Sequence, residues 1–146
     1  MTTNNHEVNN YIIASKTKRL CGFFIDLLFQ VIIIYSFQLI IFKTSFEEFL
    51  NKEIDLYSVC INGIIAFIFG AITYPFFIGN IGHKITGLKV IDQKTGKEFK
   101  NFIDGGFREL LKNLLSYLIF PVIWLLFDKK KQNLYDKITN TYVVEK

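Results

Sequence analysis

The sequence predicts an all-α membrane protein with two spanning helices, a third apolar segment that either spans or re-enters, and a small cytoplasmic β-hairpin. Three observations lead there. The runs Leu20–Phe42 and Leu56–Ile78 each reach the roughly 20 apolar residues that a helix needs to cross a bilayer. Charged residues, 21% of a chain of 146, collect between the apolar runs. Hydrophobic residues make up 51%, aromatic residues 16%, and mean hydropathy is +0.30. A soluble domain of this size would instead scatter its charges along periodic helices and strands. The length suits one small domain: a polar tail over residues 1–18, then a membrane domain over 19–146 with segments at 20–42, 56–78 and 110–127.

The first segment carries Arg19 at its entrance and Asp26 inside it. A carboxylate near the centre of a membrane helix costs about 2.5–3.5 kcal/mol on insertion scales, and less near an end. A group kept there has a partner or a task. Gln30 and Gln38 further interrupt the apolar surface, and such polar positions normally face neighbouring helices. The run exceeds the 7–15 apolar residues of a signal peptide, and no small-residue cleavage site follows, so it reads as an uncleaved first span. The loop 43–55 holds Glu47, Glu48, Glu53 and Asp55 against Lys43 and Lys52. In the second segment Ala66 and Gly70 form a small-xxx-small pair that permits close helix approach, and Pro75 falls in its last turn.

The polar stretch that follows contains Gly87–Phe99, read as a β-hairpin whose turn includes Gly96. Thr141–Val144 is a further strand candidate for its edge, since a lone two-stranded hairpin is marginal. Segment three, 110–127, has Lys112 inside and Pro121 near its middle.

Lys and Arg flank the apolar runs. Lys16, Lys18 and Arg19 precede the first, six cations from Lys84 to Arg108 follow the second, and Lys129, Lys130 and Lys131 follow the third. Basic flanks stay cytoplasmic, which puts the N-terminus inside and the acidic loop outside. Both sides of segment three are basic, so it is expected to enter and leave by one face, broken at Pro121; a plain third span is the rival. The net charge of +4 then fits anionic lipid at the cytoplasmic face rather than nucleic acid. Cys21 and Cys60 fall at opposite faces, too far apart for a disulfide.

The run Arg19-Leu20-Cys21-Gly22-Phe23-Phe24-Ile25-Asp26 resembles the start of the RDD family of small bacterial membrane proteins, named for one arginine and two aspartates. The linker from Gly79 through Gly82 and Lys84 to Val90 is similar to that family's glycine–lysine linker, with Ile81 where threonine is common. Phe127–Thr141 is similar to its closing motif. This resemblance assigns the second aspartate to Asp136, with Asp128 as the alternative, and Tyr135 stands where histidine is frequent. It implies an integral protein of the bacterial cytoplasmic membrane, with transport of unknown ligands or monovalent cation/proton exchange as the activity.

Two readings of the charges follow. In one, Asp26 is a proton or cation site, because a carboxyl removed from water takes up a proton more readily. Its donor would come from Asn62, Arg108 or Lys112. In the other, Arg19 meets Asp128 or Asp136 and the charges staple the tail to the first segment, making a membrane-embedded accessory module without transport. His6 and His83 lack a nucleophile or ligand partner at useful spacing, so neither an enzyme nor a metal site or cofactor is expected. The expected partners are the bilayer and a second copy or another membrane protein.

Overall fold

Ser15 opens the longest helix by accepting the backbone N–H of Lys18, and α1 runs from Lys16 to Phe42. This computed structural model describes residues 7–8, 11–118 and 120–146, with side chains from residue 11 onward except those of 119–122. Helix α1 therefore starts one turn before the apolar run, on a polar turn that ends with Arg19. Lys43, with φ of 55°, closes it. In the acidic loop Ser45 and Glu48 build a reciprocal capping box that starts α2, Phe46–Asn51. Phe46 and Phe49 pack back on Tyr35, at ring separations of 5.4 and 5.1 Å. Asp55 then caps α3, Leu56–Phe77, which ends on Ile78 in the left-handed region (φ 61°). A short helix α4, Ile81–Ile85, follows.

Strand β3, Leu88–Asp92, pairs antiparallel with the C-terminal strand β4, Thr141–Glu145, from Leu88↔Glu145 to Asp92↔Thr141. The expected hairpin is present as a short arm: the bridge Ile91↔Glu98, with the Asp92 N–H on the Lys97 carbonyl and the Phe99 N–H on the Val90 carbonyl. The arm is short for a local reason. Asp92 accepts the N–H groups of Lys94 and Thr95, curling the chain at once. Phe99 ends the short arm by donating its N–H to the Val90 carbonyl, and packs its ring 6.0 Å from Tyr74. The other edge of β3 takes β4, whose β-branched, apolar Val143 and Val144 are fully buried. At the N-terminus, Glu7–Val8 (β1) pairs with Tyr11–Ile12 (β2), and Ile13 bridges Val144. Ile13 and Ala14, inside the stretch read as a polar tail, thus belong to the sheet core, Ala14 with Leu88, Val90 and Val143 and Ile13 with Ile91, Tyr142 and Val144.

Segment three is two helices. α5 spans Phe102–Ser116 and α6 spans Phe120–Phe127. The break comes at the turn of Tyr117 and Leu118, ahead of Pro121, whose backbone lies in the first turn of α6, where a missing N–H costs nothing. Helix α5 runs antiparallel to α3: Gly105 meets Tyr74 at one end, and Tyr117 takes a hydrogen bond from Asn62 at the other. Helix α6 then brings the chain back, since the Leu126 carbonyl accepts from Lys16 Nζ at the start of α1. Segment three leaves and rejoins the same end of the molecule. A last short helix, α7 (Leu134–Ile138), leads into β4.

The packing is inverted relative to a water-soluble bundle. The buried stripe of α1 is Arg19, Gly22, Asp26, Gln30, Ile34 and Gln38. Outward stand Phe24, Leu28, Ile32 and Ile40. On α3 the outward stripe Ile64, Ile68, Ile72 and Phe76 is 60, 52, 58 and 75% exposed. Both helices are long and apolar enough to cross a membrane, with only 22% and 28% of their most apolar windows buried. Core helices of a soluble protein would be mostly buried, so this surface suits lipid.

The closest helix contact is α3 on α5, through the small residues Gly63, Ala66 and Gly70 of α3 and Gly105 and Gly106 of α5. A Cβ on Gly70 would lie 2.5 Å from the Gly105 carbonyl and 2.8 Å from Glu109. We expect Gly70→Leu to destabilise the solubilised protein by at least about 1–3 kcal/mol through overpacking. Ile68→Leu, on the outward stripe, should leave thermal unfolding unchanged.

Candidate functional site: a buried charge ladder

Where α1, α4, α5 and α7 converge, three cations and three carboxylates lie out of solvent: Arg19, Arg108 and Lys112 with Asp26, Glu109 and Asp136. None is more than 4% exposed. Helical spacing assembles them. Arg19 and Asp26 lie two turns apart on the inner face of α1, while Arg108, Glu109 and Lys112 share the inner face of α5.

At one end stands Asp136. Its carboxylate accepts from Arg19 on one oxygen and from Arg108 on the other, and the Asn133 N–H donates to it at 2.9 Å. Arg19 also donates to the Lys131 carbonyl. Arg108 donates to the Tyr74 hydroxyl and, at 3.3 Å, to Thr141 Oγ1. Its guanidinium lies over the Tyr135 ring at 4.9 Å, so the tyrosine in the family's histidine position serves as an aromatic platform for a cation. Burial opposes ionisation of Asp136, but the Arg19 and Arg108 guanidiniums outweigh it and hold the carboxyl below the usual carboxylate range.

At the other end stands Asp26. Oδ1 accepts the Gly82 N–H at 2.6 Å and Oδ2 accepts from Lys112 Nζ at 2.9 Å. The same ammonium lies 3.3 Å from Glu109 Oε2. Glu109 is the middle rung. It accepts from Gln30 Nε2 at 2.9 Å, from Asn80 Nδ2 at 2.9 Å and from the Tyr74 hydroxyl at 3.3 Å. Gly82 is required here, because any side chain would meet the Gly22 carbonyl and the Asp26 carboxylate of α1.

The structure thus brings Arg19 to Asp136 and Asp26 to Lys112, while Asn62 bonds Tyr117 instead. Asp128 lies apart from the ladder, paired with Lys137 and accepting the Gln132 N–H. In the linker, Gly79 adopts φ of 153° and Lys84 is exposed, its ammonium 6.0 Å from the Phe77 ring. His83 is buried, its ring against Asn80 Oδ1. Glu109, Tyr74 and Asn80 escaped the sequence reading. The available signal was the pattern Arg108-Glu109-x-x-Lys112-Asn113, a charged stripe at helical spacing beside an apolar run. Among the described residues, no group of three or more His, Cys, Asp and Glu is placed to hold a metal.

A bundle with charges inside and isoleucine and phenylalanine outside is the build of an integral membrane protein. The chain matches the model of the RDD family over residues 13–140, and it belongs to that family. Comparison with curated proteins and with solved structures gave no significant match.

Removing Asp136 would leave two buried guanidiniums facing each other. Asp136→Ala should cost about 3–5 kcal/mol, read as lower abundance and a lower melting temperature in detergent. Asp128→Ala, at a more exposed pair, should cost much less. The Asp136 contribution is complete above the ordinary carboxyl pKa of about 3.9 and fades as pH falls through the lower folded value. The wild type should therefore lose thermal stability in acid, and Asp136→Asn should remove part of that slope.

Proposed function

We propose that this chain is an integral protein of the bacterial cytoplasmic membrane that exchanges a small monovalent cation, or a like-charged ligand, for a proton at a site that includes Asp26. The observation that carries the reading is the position of Lys112. One ammonium is held between two carboxylates, Asp26 and Glu109, beside a spanning helix. If Lys112 releases a proton and becomes a neutral amine, the carboxylate pair is left with room for one positive charge. A monovalent cation restores neutrality, and its departure returns the proton to Lys112. The ladder stays neutral in both states, which a low-dielectric interior demands. Gln30 and Asn80, both bonded to Glu109, would keep that carboxylate oriented through the cycle.

The reading is of a transporter and not of an enzyme, and it sets the sheet, the N-terminus and the C-terminal tail on the cytoplasmic face. The basic flanks support this orientation. The return of α6 to the start of α1 supports a re-entrant α5–α6 hairpin over a third span. With two spans, a pathway wall would be completed by a second copy or another membrane protein.

Proton-linked cation exchange in inverted vesicles tests the proposal. Wild type should exchange, and Asp26→Asn and Lys112→Gln should abolish exchange per molecule of inserted protein. Correctly inserted wild type that never exchanges rules the reading out. For topology, a single cysteine at Lys130, in a chain freed of Cys21 and Cys60, should resist impermeant thiol reagents in intact cells; labelling from outside would reverse the assignment.

A second reading has its own observation, the Asp136 carboxylate shared by Arg19 of α1 and Arg108 of α5. It makes the charges a clamp for a non-transporting assembly module. Arg19→Ala and Asp136→Ala would then lower abundance and the yield of a co-purifying partner, while vesicles would show no exchange.

A further inference from the structure

Beyond Gln30 the inner faces of the helices carry polar side chains among the apolar Leu27, Val31, Ile34 and Phe49. α1 presents Gln30 and Gln38, α3 presents Ser58 and Asn62, α5 presents Asn113 and Ser116, and the turn after α5 presents Tyr117. All seven line two adjoining cavities, of about 280 and 90 Å³, in the wedge between α1, α3 and α5. Phe49, Asn62 and Tyr117 belong to the walls of both cavities, so the two meet at the Asn62–Tyr117 hydrogen bond of 3.1 Å. The larger cavity begins at Gln30, which donates to Glu109 of the ladder. The smaller ends beside Lys52 and Glu53, which are exposed between α2 and α3. Along the α1 axis, Asp26 to Gln38 covers about 18 Å at 1.5 Å per residue.

Four oxygens in this wedge are buried without a hydrogen-bond partner: Asn113 Oδ1, Asn62 Oδ1, Ser58 Oγ and Gln38 Oε1. Their side chains come from all three helices, and those of Gln38, Ser58 and Asn113 are 4, 8 and 7% exposed. Buried polar atoms are nearly always bonded to protein or to ordered water, and an orphaned one costs about 1–3 kcal/mol. Four in one cleft therefore indicate an occupant with donor or cationic character. A lipid chain cannot satisfy an acceptor oxygen. Water can, and so can a small hard cation, which takes carbonyl and hydroxyl oxygens as ligands. The larger cavity has room for several waters.

We propose that this wedge is a hydrated access path joining the Asp26–Glu109–Lys112 cluster to the α2 end of the molecule, the face opposite the sheet. Its oxygens solvate a monovalent cation on the way to the carboxylates, and the Asn62–Tyr117 pair is its narrowest point. The proposal rests on the exchange reading for what moves along the path, but not for the path itself.

Single cysteines at Gln38, Ser58, Asn62 and Asn113, in a chain freed of Cys21 and Cys60, test it. They are exposed to an impermeant, positively charged thiosulfonate added from the α2 side of proteoliposomes. Cysteines at Ser58 and Gln38 should react, as should those at Asn62 and, more slowly, at Asn113. Cysteines at Ile64 and Ile68 on the outward stripe should not. Tyr117→Phe should speed the reaction at Asn113. If the four wedge cysteines react only after denaturation, the path does not exist, whatever the vesicles show. If they react and exchange is absent, the path stands and the exchange reading fails. If exchange occurs, modification at Asn62 should block it and treatment of the Ile64 cysteine should not; exchange unchanged by full modification at Asn62 would also overturn the proposal.

Discussion

One carboxylate shared by two guanidiniums closes this molecule. Asp136 comes from the chain's last short helix, Arg19 from the first long one, and Arg108 from the amphipathic fifth. None of the three charges tolerates burial alone, since an unpaired ion in the interior costs several kcal/mol even after relaxation. Each therefore fixes where the other two must be. The pairing brings α7 against α5 and sets the start of α1, and with it the depth of Asp26. The sheet follows, because β4 begins five residues after Asp136 and its first residue, Thr141, also bonds Arg108.

Around that clamp, two kinds of contact divide the work. Glycine and alanine bring α3 and α5 into backbone contact, which is how helices associate where lipid supplies no hydrophobic drive. Polar side chains join α1 to the pair, mainly through Asp26, Gln30 and the α4 backbone. The α1 side of the bundle is thus held by few, strong, directional bonds, and the α3–α5 side by close packing. The wedge lies between these two sides, where neither kind of contact fills the space.

Much of this was legible in the residue order. Two membrane-length runs, an acid inside the first and the small-xxx-small pair in the second are visible as pattern alone. So was a C-terminal strand at Thr141–Val144, although its role as main partner of β3 was not. Gly96 marked the turn after β3, but the side-chain bonds of Asp92 that tighten it are not visible as pattern. The short helix α2 is marked by a capping box, Ser45 with Glu48, and α7 by Asp136 accepting the Asn133 N–H, both faint beside long apolar runs. Glu109 was missed because its partners, Gln30, Tyr74 and Asn80, lie 79, 35 and 29 residues away. Local spacing carries no trace of such pairings.

The distances along the chain between paired charges carry a consequence for biogenesis. Asp26 waits for Lys112 across 86 residues, and Arg19 waits for Asp136 across 117. A ribosome therefore hands the first helix to the insertion machinery with both of its ionised groups unmatched. Until Lys112 and Asp136 have been translated, that helix lacks the side chains that neutralise Asp26 and Arg19. Maturation therefore turns on residues made long after the opening helix, whose clamp cannot close before Asp136 exists.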